Sequence, residues 1–470
     1  MPDNQAKKMA LIGRRALLRN ALCGAAVLAA PPVVAHRAIH LPAPRQGTRI
    51  IPAQANGLTP DSPADQSEAF QSLLNIAAEK DAPIFLPAGI YRIGGISLPI
   101  RTRLIGVPGA TRLTFTGRGH MLRAERADIL SIDGILFDGL KLDLPTEMPG
   151  LITVRTARDL QITRSQFLAS GRHGLDLEGA GGSVDACRFS EAGDIAVFSR
   201  QSTGLTISNC VVENSGNGGI IVHRFTPGAD GSRVINNRIL GVQSKIGGTG
   251  QWGNGINVFQ AHNVTVSGNH IADCAFSSIR ANATQNILIT GNQSHGAGET
   301  AVYCEFSFQG AVVSNNIING GTIGISLANF NENGRLASVT GNVVRNLTSD
   351  LPYENPGAWR PGVGIYAEAD TAITGNVIEN APQSGLHIGW GRFCRNVTAA
   401  HNVVRGMPYG ATASIVDEAG PVAITNNFFG DIGRQAITGF RFAEAATGEL
   451  LGQRRSGFDH LTISGNRLNS

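Results

Sequence analysis

Ionisable and polar side chains recur at one register of a repeated strand motif, and chemistry could be built from them. The motif reads GI-x-V-x: GLDLE from Gly174, GIIVH from Gly219, GINVF from Gly255, GISLA from Gly324, GIYAE from Gly364 and GLHIG from Gly385. Side chains alternate across a strand, so the x positions face away from the buried aliphatics. The first outward file reads Asp176, Ala196, Ile221, Asn257, Arg280, Tyr303, Ser326, Tyr366, His387, Val416, Thr438. The second reads Glu178, Phe198, His223, Phe259, Asn282, Glu305, Ala328, Glu368, Gly389, Glu418, Phe440. Between Asn257 and His387 nearly every repeat exposes a group able to bind a ligand or move a proton.

Two chemistries fit this file. Glu305 and Glu368 stand two repeats apart across the small floor left by Ser326 and Ala328. At strand spacing their backbones are about 9 to 10 Å apart, and carboxyls roughly 6.5 to 9.5 Å apart suit an inverting glycosidase with one acid and one base. Alternatively, Arg280, Tyr303, Tyr366 and His387 supply bases and a cation for abstracting the proton beside a uronate carboxylate, as a lyase or epimerase requires. Trp252, Trp359 and Trp390 lie where they could stack on sugar rings, and Asn257, Asn282 and Glu418 add hydrogen-bonding groups along the column. Against this stands a plainer reading, because the outer face of any strand column carries polar residues for solubility. No HExxH or paired Cys/His spacing supports a metal, and the sequence specifies no cofactor. GTGQWG, from Gly248 to Gly253, matches GxGxxG but has no following helix, so it is no dinucleotide site.

These residues are positioned by a second repeated segment. VTVSGNHI from Val264 is followed by ILITGNQS, AVVSNNII, ASVTGNVV, TAITGNVI, VAITNNFF and LTISGNRL. Ten copies carry asparagine at one register: Asn209, Asn237, Asn269, Asn292, Asn316, Asn342, Asn376, Asn402, Asn427 and Asn466. Ile135, Ser165 and Cys187 take that place in earlier repeats. The shorter gaps are 23 to 28 residues and the longer ones 32, 34 and 39, which marks one unit stacked on copies of itself. Each unit alternates buried and polar residues, turns at Gly-Asn, where φ > 0 is tolerated, and starts a new strand. Stacked asparagines can bond to one another in a ladder. The expected fold is all-β: a right-handed parallel β-helix with three strands per coil, an Asn ladder and an N-terminal capping helix.

That helix is expected over Ser67 to Ala78, with Phe70, Leu73, Leu74 and Ala77 on one face. The run GLTPDSPADQSEAFQSLLNIAAEKDAPIFLPAGIYRI resembles the N-terminal region of pectate-lyase-like β-helix proteins. Residues 1–35 combine a basic start, an apolar run from Ala21 to Ala30 and a small-residue site at Val33-Val34-Ala35, a signal-peptide pattern. Within it GRRALLR, from Gly13, resembles the twin-arginine export signal, although an ordinary secretory signal has the same three regions. With leader, cap and repeats together, the chain resembles the twin-arginine-translocated β-helix repeat proteins. That resemblance implies the fold and folded export to the periplasm or exterior, and it brings no catalytic residues with it.

The expected domains are a leader at 1–35, a linker at 36–66, a cap with first coils at 67–127 and repeats at 128–470. The formal charge of +4 belongs to the leader, since its five basic residues and one acid leave 34 of each beyond it. This gives no argument for nucleic acid, and no membrane segment follows the leader. The five cysteines beyond the leader, at irregular spacing, make no disulfide framework and are expected as buried small side chains. The function expected is that of an exported monomer acting on a polysaccharide or oligosaccharide, with the export machinery as a transient partner. The alternatives are a noncatalytic glycan-binding or envelope protein and a periplasmic metal-delivery β-helix.

Overall fold

The computed structural model describes residues 50–248, 250–353, 361–453 and 457–469. The expected leader and Trp359 therefore lie outside the described residues. Successive coils add short strands to three parallel columns, making a right-handed β-solenoid of about 13 turns. The first column runs from Ile51–Pro52 through Ile84–Phe85, Arg101–Ile105 and Ala127–Asp133 to Leu461–Ser464. The second includes Gln166–Leu168, His270–Ala272 and Val343–Arg345, and the third carries the GI-x-V motif in strands such as Ile279–Asn282, Thr300–Glu305 and Val363–Ala367. The first strand already pairs Ile51 with Ile84, so the solenoid begins inside the stretch whose composition reads as linker.

The core follows from stacking identical positions. Val266, Ile289, Val313, Val339 and Ile373 lie in register in the first column, each fully buried. Burying one such side chain contributes roughly 1.5 to 3 kcal/mol, and every coil repeats the contribution.

The turn after the first column holds the ladder. Each Asn Nδ2 donates to the next Asn Oδ1, from Asn237 through Asn269, Asn292, Asn316, Asn342, Asn376, Asn402 and Asn427 to Asn466, at 2.9 to 3.0 Å. The same Oδ1 also accepts the backbone N–H of the preceding rung's Asn, as Asn342 Oδ1 does from Asn316 at 3.0 Å. A repeated buried amide is thereby fully satisfied. Asn209 is not a member. Ser208 is in register with Ile235, which puts Cys210 opposite Asn237 and leaves Asn209 one residue early, at φ 54°. There it fills the turn position taken by Gly268 or Gly341 in later coils, and its amide donates to Asp185. Asparagine suits both the left-handed turn position and the ladder, and this blurs the register in sequence. Cys210 and Cys187 continue the file, and all five cysteines of the described residues are free and buried.

The helix spans Ser67–Glu79 and buries the four residues expected of it, Phe70, Leu73, Leu74 and Ala77. Gln71 from this helix bonds both the N–H and the C=O of Ser97 at 2.8 Å. It thus satisfies backbone groups at the open end of the stack.

Asn342→Ala should lower stability by at least about 2 kcal/mol, because it leaves buried donors of Asn316 without an acceptor. Asn209→Ala should stay within about 0.5 kcal/mol. Thermal unfolding of the two variants side by side checks the ladder assignment, and equal melting shifts would contradict it.

Candidate functional site

The motif column is lined outward in the register Asp176, Phe198, Ile221, Asn257, Arg280, Tyr303, Ser326, Tyr366, His387, Thr412, Thr438. Two coils differ from expectation. Phe198 takes the place assigned to Ala196, and Thr412 that assigned to Val416. Glu418 thereby leaves the column altogether: it is exposed beyond the strand and lies 3.7 Å from Arg392. The third-column strand of that coil reads Gly-Ala-Thr-Ala-Ser, without the large aliphatics that reveal the motif elsewhere.

A pocket of about 200 Å³ opens on this face, lined by Phe198, Ile221, His223, Gln251, Trp252, Asn257, Phe259, Arg280 and Asn282. Its floor is aromatic. His223 stacks on Phe259 at 4.8 Å between ring centres, and Phe198 meets His223 edge-on at 5.9 Å. Gln251 and Trp252 come from the insertion that precedes the Asn254–His262 strand and form a wall.

Behind the pocket the chemistry gathers on Arg280. Its Nε donates to Glu305 Oε1 at 2.5 Å, and Asn282 Nδ2 donates to the same oxygen at 2.9 Å. On the other side of the guanidinium lies Glu299, a residue outside the x files and absent from the expected site. Tyr353 donates to Glu299 Oε1 at 2.7 Å. Burial pushes the Glu299 carboxyl above the usual range, and Tyr353 and Arg280 pull the other way. The wall passes between these groups as backbone: a methyl on Gly250 would stand 2.4 Å from Arg280 Nη1 and 3.3 Å from Glu299 Oε2. Among the described residues, Arg280 Nη1, Glu299 Oε2 and Asn257 Oδ1 are buried and have no hydrogen-bond partner.

The family model described as "Right handed beta helix region" matches residues 150–247, 173–344 and 225–404, which together cover more than half of the chain. The chain belongs to this right-handed β-helix family. No curated protein matches it. Among solved structures it is similar to the N-terminal fragment of bacteriophage phi29 gene product 12, with TM-score 0.54, 16% identity, and 89% of this chain covering 70% of that one. For the pre-mature form of the same gene product the TM-score is 0.51 at 16% identity, and 89% of this chain spans 56% of that one's length. The catalytic unit of a GH87 α-1,3-glucanase from Streptomyces thermodiastaticus gives 0.43 at 15% identity, with 90% and 69% covered. At such identities the likeness concerns the fold.

The other expected site residues of this β-helix form a second, drier cluster. Tyr366 donates to Glu368 Oε1, and the Phe330 N–H donates to Glu368 Oε2 at 2.6 Å. Tyr366 packs with Ile323, Ala328 and Val363, and Tyr303 and Trp390 lie against them. His387 is 1% exposed, bonded through Nδ1 to Thr412 at 2.7 Å. Glu305, Ala328 and Glu368 do form one file. However, the dip between the carboxyls is filled by this apolar packing, where an inverting pair needs room for water. Glu305 turns toward Arg280, and Glu368 toward Tyr366 and Phe330. The phenols do not suit a base role either. Burial, with Glu368 beside it, raises Tyr366 well above its ordinary value, and burial with Glu305 and Glu299 raises Tyr303. Both hold their protons at neutral pH. Trp252, Asn257, Arg280 and Asn282 thus line one pocket with Glu305 behind them, whereas Tyr303, Tyr366, Glu368, His387 and Trp390 belong to the buried cluster.

Among the described residues no three His, Cys, Asp or Glu side chains are grouped to hold a metal ion.

Burial depresses the His387 imidazole to about 4. A group whose folded pKa is lowered takes up its proton first in the unfolded chain, so stability falls as pH drops from about 6.5 toward 4. His387→Gln should flatten that acid limb of the melting-temperature profile. Glu368 has the opposite sign. Its pKa is raised by burial, so its neutral form favours the fold at low pH, and that contribution is lost as pH rises above about 4.5. Glu368→Gln should reduce the loss. A pair of melting profiles from pH 4 to 8 with both slopes unchanged would contradict these assignments.

Proposed function

We propose that this β-helix binds a polysaccharide along the outer face of its third strand column and processes it at the Arg280 end of the pocket. The supporting observation is the pocket itself, with an aromatic floor, an indole wall and buried polar atoms awaiting partners. A volume of about 200 Å³ is below the usual ~300 to 1,000 Å³ of drug-sized sites. It suits a single sugar ring of a chain that continues along the column. The apolar face of such a ring packs on Phe259, His223 and Trp252, while its hydroxyls meet Asn257, Asn282 and Arg280.

The acid–base chemistry within reach is that of Glu299 and Glu305, one on each side of Arg280. Here burial raises the Glu299 carboxyl above its ordinary value, while Glu305 is an acceptor for Arg280 and Asn282. A glycosidic bond held across this end would be cleaved by hydrolysis. Noncatalytic glycan binding is the second reading, and what favours it is burial: Glu299 and Glu305 are 8% and 3% exposed.

Binding is checked by titrating soluble polysaccharides into the mature chain while following tryptophan fluorescence. Trp252→Ala should weaken binding about tenfold or more, and unchanged affinity would place the ligand elsewhere. For a binder that is also an enzyme, Glu305→Gln and Glu299→Gln should each reduce new reducing ends at least a hundredfold, with no unsaturated product in either the wild type or the variants. Wild-type protein that binds but releases no product would leave the noncatalytic reading standing.

We also propose export in the folded state through Arg14 and Arg15. A reporter fused after residue 35 should reach the periplasm, and Arg14→Lys with Arg15→Lys should retain it in the cytoplasm.

A further inference from the structure

We propose that the subsite at Asn257 and Arg280 takes a neutral sugar through one hydroxyl, which donates to Asn257 Oδ1 and accepts from Arg280 Nη1, and that it discriminates against uronates. This rests on the pocket being a glycan site. Asn257 and Arg280 are paired in register on adjacent strands, with their backbones about 4.8 Å apart at strand spacing. Each is 9% exposed, both line the same pocket, and the two atoms concerned have no partner among the described residues. One is an acceptor and the other a donor. A hydroxyl, with one O–H and two lone pairs, satisfies both at once. A uronate carboxylate is an acceptor only. It could take the Arg280 N–H but would set a charged oxygen against the Asn257 carbonyl.

Charge around the pocket points the same way, because each arginine there already has an acid. Arg280 is bonded to Glu305, Arg200 contacts Asp176 at 2.7 Å, and Arg224 stands 3.8 Å from Asp230. The other basic group in the lining itself is His223, whose pKa is lowered by burial and by Arg200, so it is neutral at pH 7. A carboxylate entering the pocket would find no unmatched cation among the lining residues, and Glu305 stands behind Arg280. Groups placed to bond a hydroxyl discriminate strongly against a ligand that cannot satisfy them.

The experiment is isothermal titration of the mature chain at pH 7. The probes are tetragalacturonate, its carboxyl-reduced counterpart, and neutral tetrasaccharides of glucose and xylose. The reduced tetrasaccharide differs from its parent only by a hydroxymethyl group in place of each carboxylate, so no variant has to fold for this comparison. The reduced form, or another neutral tetrasaccharide, should bind at least tenfold more tightly than tetragalacturonate. Asn257→Leu, with its melting temperature checked, should weaken the neutral ligand about tenfold. Equal or tighter binding of tetragalacturonate overturns the neutral-sugar assignment and leaves the glycan groove standing. Unchanged neutral binding in a folded Asn257→Leu protein overturns the hydroxyl bridge. If none of the four tetrasaccharides binds, the groove reading fails and takes this inference with it.

Discussion

Everything in this molecule depends on parallel strands of successive coils meeting in register. A parallel pairing leaves no short hairpin route between partners, so each coil must travel once around the core before it meets its predecessor. The Asn ladder holds that register at the sharpest turn, because an amide offers a donor and an acceptor at matched spacing and can bond to its own copy above and below. Replacing the amide by Cys210 or Cys187 keeps the side chain small and buried but ends the chain of side-chain hydrogen bonds. The ladder is therefore a property of the later coils, and earlier ones rely on apolar stacking such as Phe137 on Phe167 on Phe189.

A regular stack has a regular outer face, and departures from regularity create the site. The insertion carrying Gly250, Gln251 and Trp252 rises beside the third column and brings backbone against Arg280 and Glu299. Walls of this kind change the dielectric as well as the shape. Polar residues on an open column would be solvated, whereas here Arg280, Asn257 and Glu305 are nearly sealed. That burial raises the Glu299 carboxyl, and in the neighbouring cluster it raises the tyrosines and depresses His387.

Much of the fold was legible because it is repetitive. Period, alternation and turn residues recur often enough that the helix cap, the three strands per coil and the buried cysteines follow from local physics. The misreadings occurred where one residue type serves two positions, as at Asn209, or where aliphatics were replaced by alanines, as around Thr412. The candidate site was legible only as a shared location. Trp252, Asn257, Arg280 and Asn282 do share a pocket, and Glu305 stands behind it. Glu299 was missed because it sits outside the alternating file, just before the Thr300–Glu305 strand.

The amino-acid sequence by itself determined the solenoid and, outside the coils of Asn209, Ala196 and Val416, its register and which side chains point outward, since these follow from a repeated local pattern. Tertiary structure alone decided which outward residues are reachable, which are sealed and in which direction burial moves their proton affinities. Those properties depend on where the insertions fold back and what they cover, and insertions do not repeat.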